Sequence, residues 1–207
     1  MKSKSVFCRL STLFFAVGFA LILCAGGLLL QNLKESDEAA ESVQTISMDL
    51  KIEAPQDEGI VPDYLIDATR DMPEQEIDGY AYIGKLSIPT LDLELPVMTD
   101  WSYPQLKIAP CRYQGSAYTD DMIVCAHNYQ SHFGKLDSLV TGDEIQFTDM
   151  DGNHFSYSVI EKEYLEKADV EKLKNGDWDL TLFTCTPGGK TRVTIRCEKA
   201  EVSDFAE

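Results

Sequence analysis

Cys185, His127 and Arg192 are the residues through which this sequence could do covalent chemistry. Cys185 closes the run Thr181-Leu182-Phe183-Thr184-Cys185, Arg192 follows seven residues later, and His127 stands far upstream. A thiol attacks only as its thiolate, and at the ordinary cysteine pKa of about 8.5 only a few per cent is ionised at neutral pH. A neighbouring imidazolium or guanidinium stabilises the thiolate, and a guanidinium can also hold a developing oxyanion. The competing reading of any single cysteine on a strand is a buried structural thiol.

The elements around these residues put them at strand ends. Residues 179–185, apolar and β-branched, read as a strand entered from the turn Asn175-Gly176-Asp177 and left at Pro187-Gly188-Gly189. A second strand over 191–197 begins almost at once, so the turn folds Arg192 back towards Cys185. Along it Arg192, Thr194 and Arg196 share one face, and Val193, Ile195 and Cys197 share the other. Spacing alone does not choose between the two arginines. Residues 121–127 form a further strand, which closes on His127 as the other closes on Cys185. His132, in the loop that follows, and His154, beside a hairpin tip, have no such placement; a satisfied surface histidine is the alternative for all three.

The rest of the folded part also reads as β-structure. Residues 80–88 form a strand ended by Pro89, 91–97 alternate apolar and acidic residues, and 144–148 with 155–163 make a hairpin. Asp169 is an N-cap for a short helix ending near Asn175-Gly176. Many short strands at regular spacing, with little helix, suggest a closed or nearly closed barrel.

Two widely separated stretches together resemble the sortases, the surface transpeptidases of Gram-positive bacteria. One is Thr181-Leu182-Phe183-Thr184-Cys185 followed by an arginine that opens the next strand. The other is Ile83-Gly84-Lys85-Leu86-Ser87-Ile88-Pro89 with Leu95-Pro96-Val97, a hundred residues earlier. Cys125-Ala126-His127-Asn128 is similar to a third family segment, with Ala126 in place of the usual glycine. The resemblance covers about residues 80–197 and implies an all-β fold, an eight-stranded β-barrel with short helices. It implies a catalytic set of His127, Cys185 and Arg192, the family pattern placing the active arginine at the start of its strand. Arg196 is then expected to be a surface or supporting cation.

The implied reaction is attack by Cys185 on the Thr–Gly bond of an LPxTG-like sorting signal, followed by transfer of the acyl group to an amine. That amine is on a cell-wall precursor or another surface protein. The short interval before 179–185 argues against the family branch that carries a long inserted helix there. No second apolar segment follows the domain and no Asp-Pro-aromatic lid motif precedes it, which weighs against a pilus-polymerising type. Some relatives bind calcium near the groove, but no acidic set here can be matched to theirs, so neither metal nor cofactor is expected. A degenerate, non-catalytic barrel serving as a scaffold or adhesin is the alternative class, and the intact Cys–His–Arg set argues against it. A sortase substrate is a poor fit, because residues 95–100 read LPVMTD and lie mid-domain.

Charge and hydropathy partition the remaining chain. Residues 10–30 contain no charged side chain, and a helix of that length spans roughly 30 Å, a bilayer's hydrocarbon thickness. Lys2, Lys4 and Arg9 precede it while Glu35, Asp37 and Glu38 follow, which by the positive-inside rule places residues 1–9 in the cytoplasm and the rest outside. A cleaved signal peptide is the alternative, and the length of the apolar stretch favours an uncleaved anchor. Cys24 lacks a suitable preceding residue for lipidation, and Cys8 and Cys24 are bystanders.

Residues 31–78 are expected to be an extracellular stalk, extended and mostly unfolded, ahead of a catalytic domain at 79–207. From Lys34 to Asp78 there are 14 acidic against 3 basic residues, about −11 of the formal −17. Val61–Ile66 is its one apolar patch that could dock on the domain. So acidic a balance argues against a nucleic-acid partner. Four cysteines lie beyond the apolar segment (Cys111, Cys125, Cys185, Cys197), and with Cys185 free at most one disulfide could form. They show no CxxC pair or zinc-ligand spacing.

Overall fold

The computed structural model describes residues 2–54 and 61–200, with side chains from residue 14 onward; the parts of the expected stalk and domain at 55–60 and 201–207 lie outside the described residues. A 48-residue helix, α1 (Lys2–Asp49), comes first. It is followed by α2 (Asp63–Ile66), β1 (Gln75–Ile77), β2 (Tyr80–Ile88) and β3 (Leu93–Met98). Next come α3 (Tyr103–Leu106), β4 (Cys111–Gln114), β5 (Met122–Cys125) and the hairpin β6 (Glu144–Asp149) with β7 (His154–Glu166). Then α4 (Val170–Lys174) leads into β8 (Leu180–Cys185) and β9 (Thr191–Lys199).

Eight strands close into a barrel in the order β2-β3-β4-β5-β8-β9-β7-β6, and pairing of β6 with β2 completes the ring. β1 adds to the outer edge of β2. The eight-stranded barrel expected from the sequence is therefore what the chain forms. Closure needs a glycine at the seam: a Cβ on Gly84 (φ 152°) would sit 2.1 Å from the Thr148 carbonyl oxygen. Half-buried strands alternate as their sequences do, β6 most regularly. β8 instead buries its first five residues on both faces, which suits its continuous run of apolar and threonine side chains. Leu86, Leu95, Val124, Phe147, Leu182 and Ile195 are among the side chains that fill the interior.

The chain divides into two compact units, residues 1–37 and 38–207. In the first, Phe14, Phe15, Phe19, Leu21 and Ile22 are exposed, and the helix is long and apolar enough to cross a membrane. The second corrects the expected unfolded stalk. Its first residues are the last turns of α1, where Ala39, Val43 and Ile46 are buried and Glu38, Glu41 and Asp49 point to solvent. Those buried positions are spaced i, i+4, i+7, one stripe of a helix, so periodicity wins over net charge here. Further along, Tyr64 of α2 stacks on Tyr118 at 4.8 Å and tilts against Phe155, while Met72 is buried. The patch at 61–66 docks through Tyr64; Val61, Leu65 and Ile66 stay exposed. With β1 also ahead of residue 79, the folded unit begins well before the expected boundary.

Candidate active site

Three neighbouring strands assemble the site. Cys185 ends β8 and pairs directly with Arg192 near the start of β9. The connection between them is tight because Gly188 and Gly189 adopt positive φ, 85° and 67°, and Thr186 N–H donates to the Thr191 carbonyl at 2.9 Å. On the other side β5 runs parallel to β8 with Cys125 opposite Phe183. Two residues further along each strand come His127 and Cys185. The strands stay tied past the end of the ladder: Ala126 N–H donates to the Phe183 carbonyl at 3.3 Å, and Thr184 Oγ1 donates to the Ala126 carbonyl at 2.8 Å. Cys185 is thus paired with Arg192, and His127 follows two residues past the end of the neighbouring β5.

The sequence reading ended the first of these strands on His127, whereas β5 ends at Cys125. His127 stands where the chain turns away, its carbonyl accepting from Phe133 N–H at 3.1 Å and its ring 4.9 Å from that of Tyr129. Thr184 is the residue that sequence reasoning passed over. It is buried, and its hydroxyl ties the end of β8, beside Cys185, to Ala126, the residue before His127.

Arg192 is half-buried with its guanidinium carbon 5.5 Å from the centre of the Phe183 ring. Its Nη1 is buried and has no hydrogen-bond partner among the described residues. A buried charged donor without an acceptor is costly unless something else fills the role, such as a substrate oxygen. A cleft of about 200 Å³ opens beside Cys185, walled by Asn128, Phe133, Asp137, Tyr164 and Pro187. Ile123, Cys125, Leu165, Leu173 and Phe183 form an apolar cluster bordered by Tyr113.

The cysteines separate cleanly. Cys185 is exposed, while Cys111, Cys125 and Cys197 are buried free thiols. Burial pushes the thiols of Cys111 and Cys197 up to about 12 and that of Cys125 higher still, so none of the three is a nucleophile at neutral pH. Of the remaining histidines, His154 is exposed and shares a 2.9 Å hydrogen bond with Thr148 Oγ1. His132 is not at the surface: it is fully buried beside Tyr129. Arg196, expected to be a surface or supporting cation, is only 2% exposed and sits in a cage of acceptors. Among the described residues no group of three or more His, Cys, Asp or Glu is arranged to hold a metal ion.

A family model described as "Sortase domain" matches residues 86–200. Solved structures similar in fold include sortase A from Corynebacterium diphtheriae, 20% identical, covering 83% of this chain and 86% of that one with a TM-score of 0.53. Sortase C1 from Streptococcus agalactiae is 22% identical over 82% of this chain and 89% of that one, TM-score 0.53. Clostridium perfringens sortase C, solved with the C-terminal cell wall sorting motif, is 22% identical over 82% and 91%, TM-score 0.52. No curated protein matches the sequence.

Proposed function

Since this chain belongs to the sortase family, we propose that it is a membrane-anchored cysteine transpeptidase that cleaves an LPxTG-like sorting signal and joins the new acyl group to an amine. The observation that carries this reading is the backbone pairing of Cys185 with Arg192, whose buried Nη1 has no hydrogen-bond partner among the described residues, beside the neighbouring strand that leads to His127. The sorting motif bound by the similar Clostridium perfringens enzyme supports the same class of substrate.

Each residue then has a balanced part in the reaction. The Cys185 thiolate attacks the threonine carbonyl carbon, and the carbonyl oxygen takes up negative charge that Arg192 Nη1 is free to bind. Collapse expels the glycine amine, which takes its proton from His127 as the C–N bond breaks, leaving a thioester on Cys185. An acceptor amine, from a cell-wall precursor or another surface protein, attacks the thioester and gives its proton back to His127. The thiolate leaves, and the peptide bond count is unchanged. Neither metal nor cofactor is needed for these steps. Thr184 holds the histidine and thiol strands in step, so the proton donor stays beside the leaving group.

The test uses the full chain in detergent micelles with a library of LPxTG-type peptides and an added oligoglycine or lysine-bearing peptide. Mass spectrometry is expected to find an acyl adduct on Cys185, cleavage between Thr and Gly, and a joined product. Cys185→Ala abolishes all three. Arg192→Lys keeps a charge but loses the planar fork, and an oxyanion donor is worth roughly 10²–10³ in turnover, so most activity goes with it. If no library member yields an adduct or a cleaved product, the enzyme reading falls and a non-catalytic barrel takes its place.

A further inference from the structure

Trp101 and Tyr103 are left in water by the barrel, 41% and 70% exposed, with their rings 5.9 Å apart and edge to face. Single surface aromatics are ordinary, but these two continue into a third, since the Tyr113 ring lies 5.4 Å from that of Trp101. The rings are held from behind. Tyr103 opens α3, whose N-cap Ser102 accepts from Gln105 N–H at 3.3 Å. Tyr113 stands edge-on to Phe183 at 5.4 Å, with Lys174 over its ring at 5.5 Å. Three neighbouring rings offer more face than a single sugar ring covers, and aromatic side chains lose little conformational entropy when they bind.

Trp101 and Tyr113 also line a cleft of about 480 Å³ with Thr99, Asp100, Arg112 and Gln114, a volume ordinary for a small-ligand site. Successive side chains of a regular strand point to opposite faces, so residues 112, 113 and 114 can share one cleft only where the strand is irregular. It is irregular here. Arg112 pairs with Val124 and Gln114 with Ile123, which leaves Tyr113 as the extra residue of a β-bulge. Arg112 Nε donates to the Thr99 carbonyl at 2.9 Å, fixing the root of its guanidinium. Among the described residues, Asp100 and Arg112 make no ion pair with each other although they line the same cleft, and the buried Thr99 hydroxyl has no hydrogen-bond partner. A carboxylate only accepts and a guanidinium only donates, so the two together suit a ligand that does both.

That requirement separates the candidate ligands. A proline-rich peptide, a common guest of aromatic grooves, has no N–H at its prolines and leaves Asp100 unmatched. A nucleic acid or other polyanion is repelled by a chain of formal net charge −17. A neutral carbohydrate meets every group: its hydroxyls donate to Asp100 and accept from Arg112, Gln114 does either, and the C–H faces of successive pyranose rings pack on the aromatic rings. We propose that this cleft binds a neutral carbohydrate chain, with Trp101, Tyr103 and Tyr113 as its stacking platform and Asp100, Arg112 and Gln114 as the groups that engage its hydroxyls. Such a site is independent of the transpeptidase reading.

The experiment titrates the full chain, in micelles of a detergent without sugar headgroups, with cellohexaose and chitohexaose, neutral β-1,4-linked hexamers of glucose and of N-acetylglucosamine. Calorimetry reads affinity. Fluorescence of Trp178→Phe reads place, because Trp101 is then the one tryptophan left of two. At least one hexamer is expected to bind saturably and shift the Trp101 emission, and its single sugar to bind at least about tenfold more weakly for want of stacking on further rings. Trp101→Ala weakens the hexamer about tenfold, and Asp100→Ala or Arg112→Ala about threefold each. Tyr103→Ala, at the most exposed of the three rings, weakens it about threefold and serves if Trp101→Ala does not fold. Failure of both hexamers to bind overturns the proposal, as does a single sugar that binds as well as its hexamer. Affinity unchanged by both Trp101→Ala and Tyr103→Ala overturns it too, as does tighter binding of a polyproline peptide than of either hexamer.

Discussion

Arg192 and Arg196 show how one residue type on one strand face acquires opposite roles from its surroundings. Arg192, paired with Cys185 on the backbone, has a buried nitrogen without a partner among the described residues, whereas Arg196 has every nitrogen committed to the protein. The same contrast separates the histidines. His127 stands two residues past the end of β5, while His132 is buried five residues on, and burial, then the charge of His127, hold its pKa down from 6.5 to about 4. The folded state therefore keeps His132 neutral where the unfolded chain would protonate it. Its neutral form contributes fully above about pH 6.5; stability then falls as pH drops from 6.5 towards 4, where the loss levels off at about 3 kcal/mol. His132→Phe removes that step. Urea unfolding at pH 7 and pH 4.5 is expected to show a smaller acid loss in the variant than in the parent; equal losses would show that His132 does not carry this part of the acid sensitivity.

Among the elements, the strand that ends on Cys185 and the one that starts beside Arg192 were legible because β-branched and apolar runs, Gly-Gly turns and strand-end polar residues are local signals. The end of α1 was not. It lies in residues 34–78, whose 14-to-3 excess of acid over base reads as an unfolded spacer, and only the sparse stripe Ala39, Val43, Ile46 marks a helix that packs. The burial of Arg196 was equally hidden, since its carbonyl acceptors lie 23 and 24 residues upstream and no side-chain pattern announces them. A fragment starting near Pro73, a few residues ahead of the boundary expected at 79, removes α2 and the end of α1. That truncation uncovers the contact faces of Val43, Ile46, Tyr64 and Met72, and burial of each such side chain is worth about 1.5–3 kcal/mol at full exposure. A fragment beginning at Glu38 is expected to unfold at a clearly higher urea concentration than one beginning at Pro73, with a larger m-value for the extra surface. Coincident unfolding curves would mean that the acidic segment contributes nothing to the barrel's stability.

At the scale of the whole molecule, the charge pattern and the proposed chemistry make one demand: the barrel is expected to face the side on which sorting-signal substrates would emerge. The apolar stretch of α1 is long enough to span a bilayer, with Lys2, Lys4 and Arg9 on one flank and the acidic run on the other. Positive residues are retained on the cytoplasmic side, so the amino terminus is expected inside and the barrel outside. Confining enzyme and tethered substrate to one membrane surface raises their effective concentration, as a linker does for two binding modules. For the proposed transpeptidase that gain matters, because proximity would decide whether its thioester meets an amine before water. Protease added to intact cells is expected to release a fragment containing both His127 and Cys185, detected by mass spectrometry of the supernatant, while residues 1–30 stay with the membrane. Release only after the cells are broken would reverse the orientation and place the site on the wrong side for a surface transpeptidase.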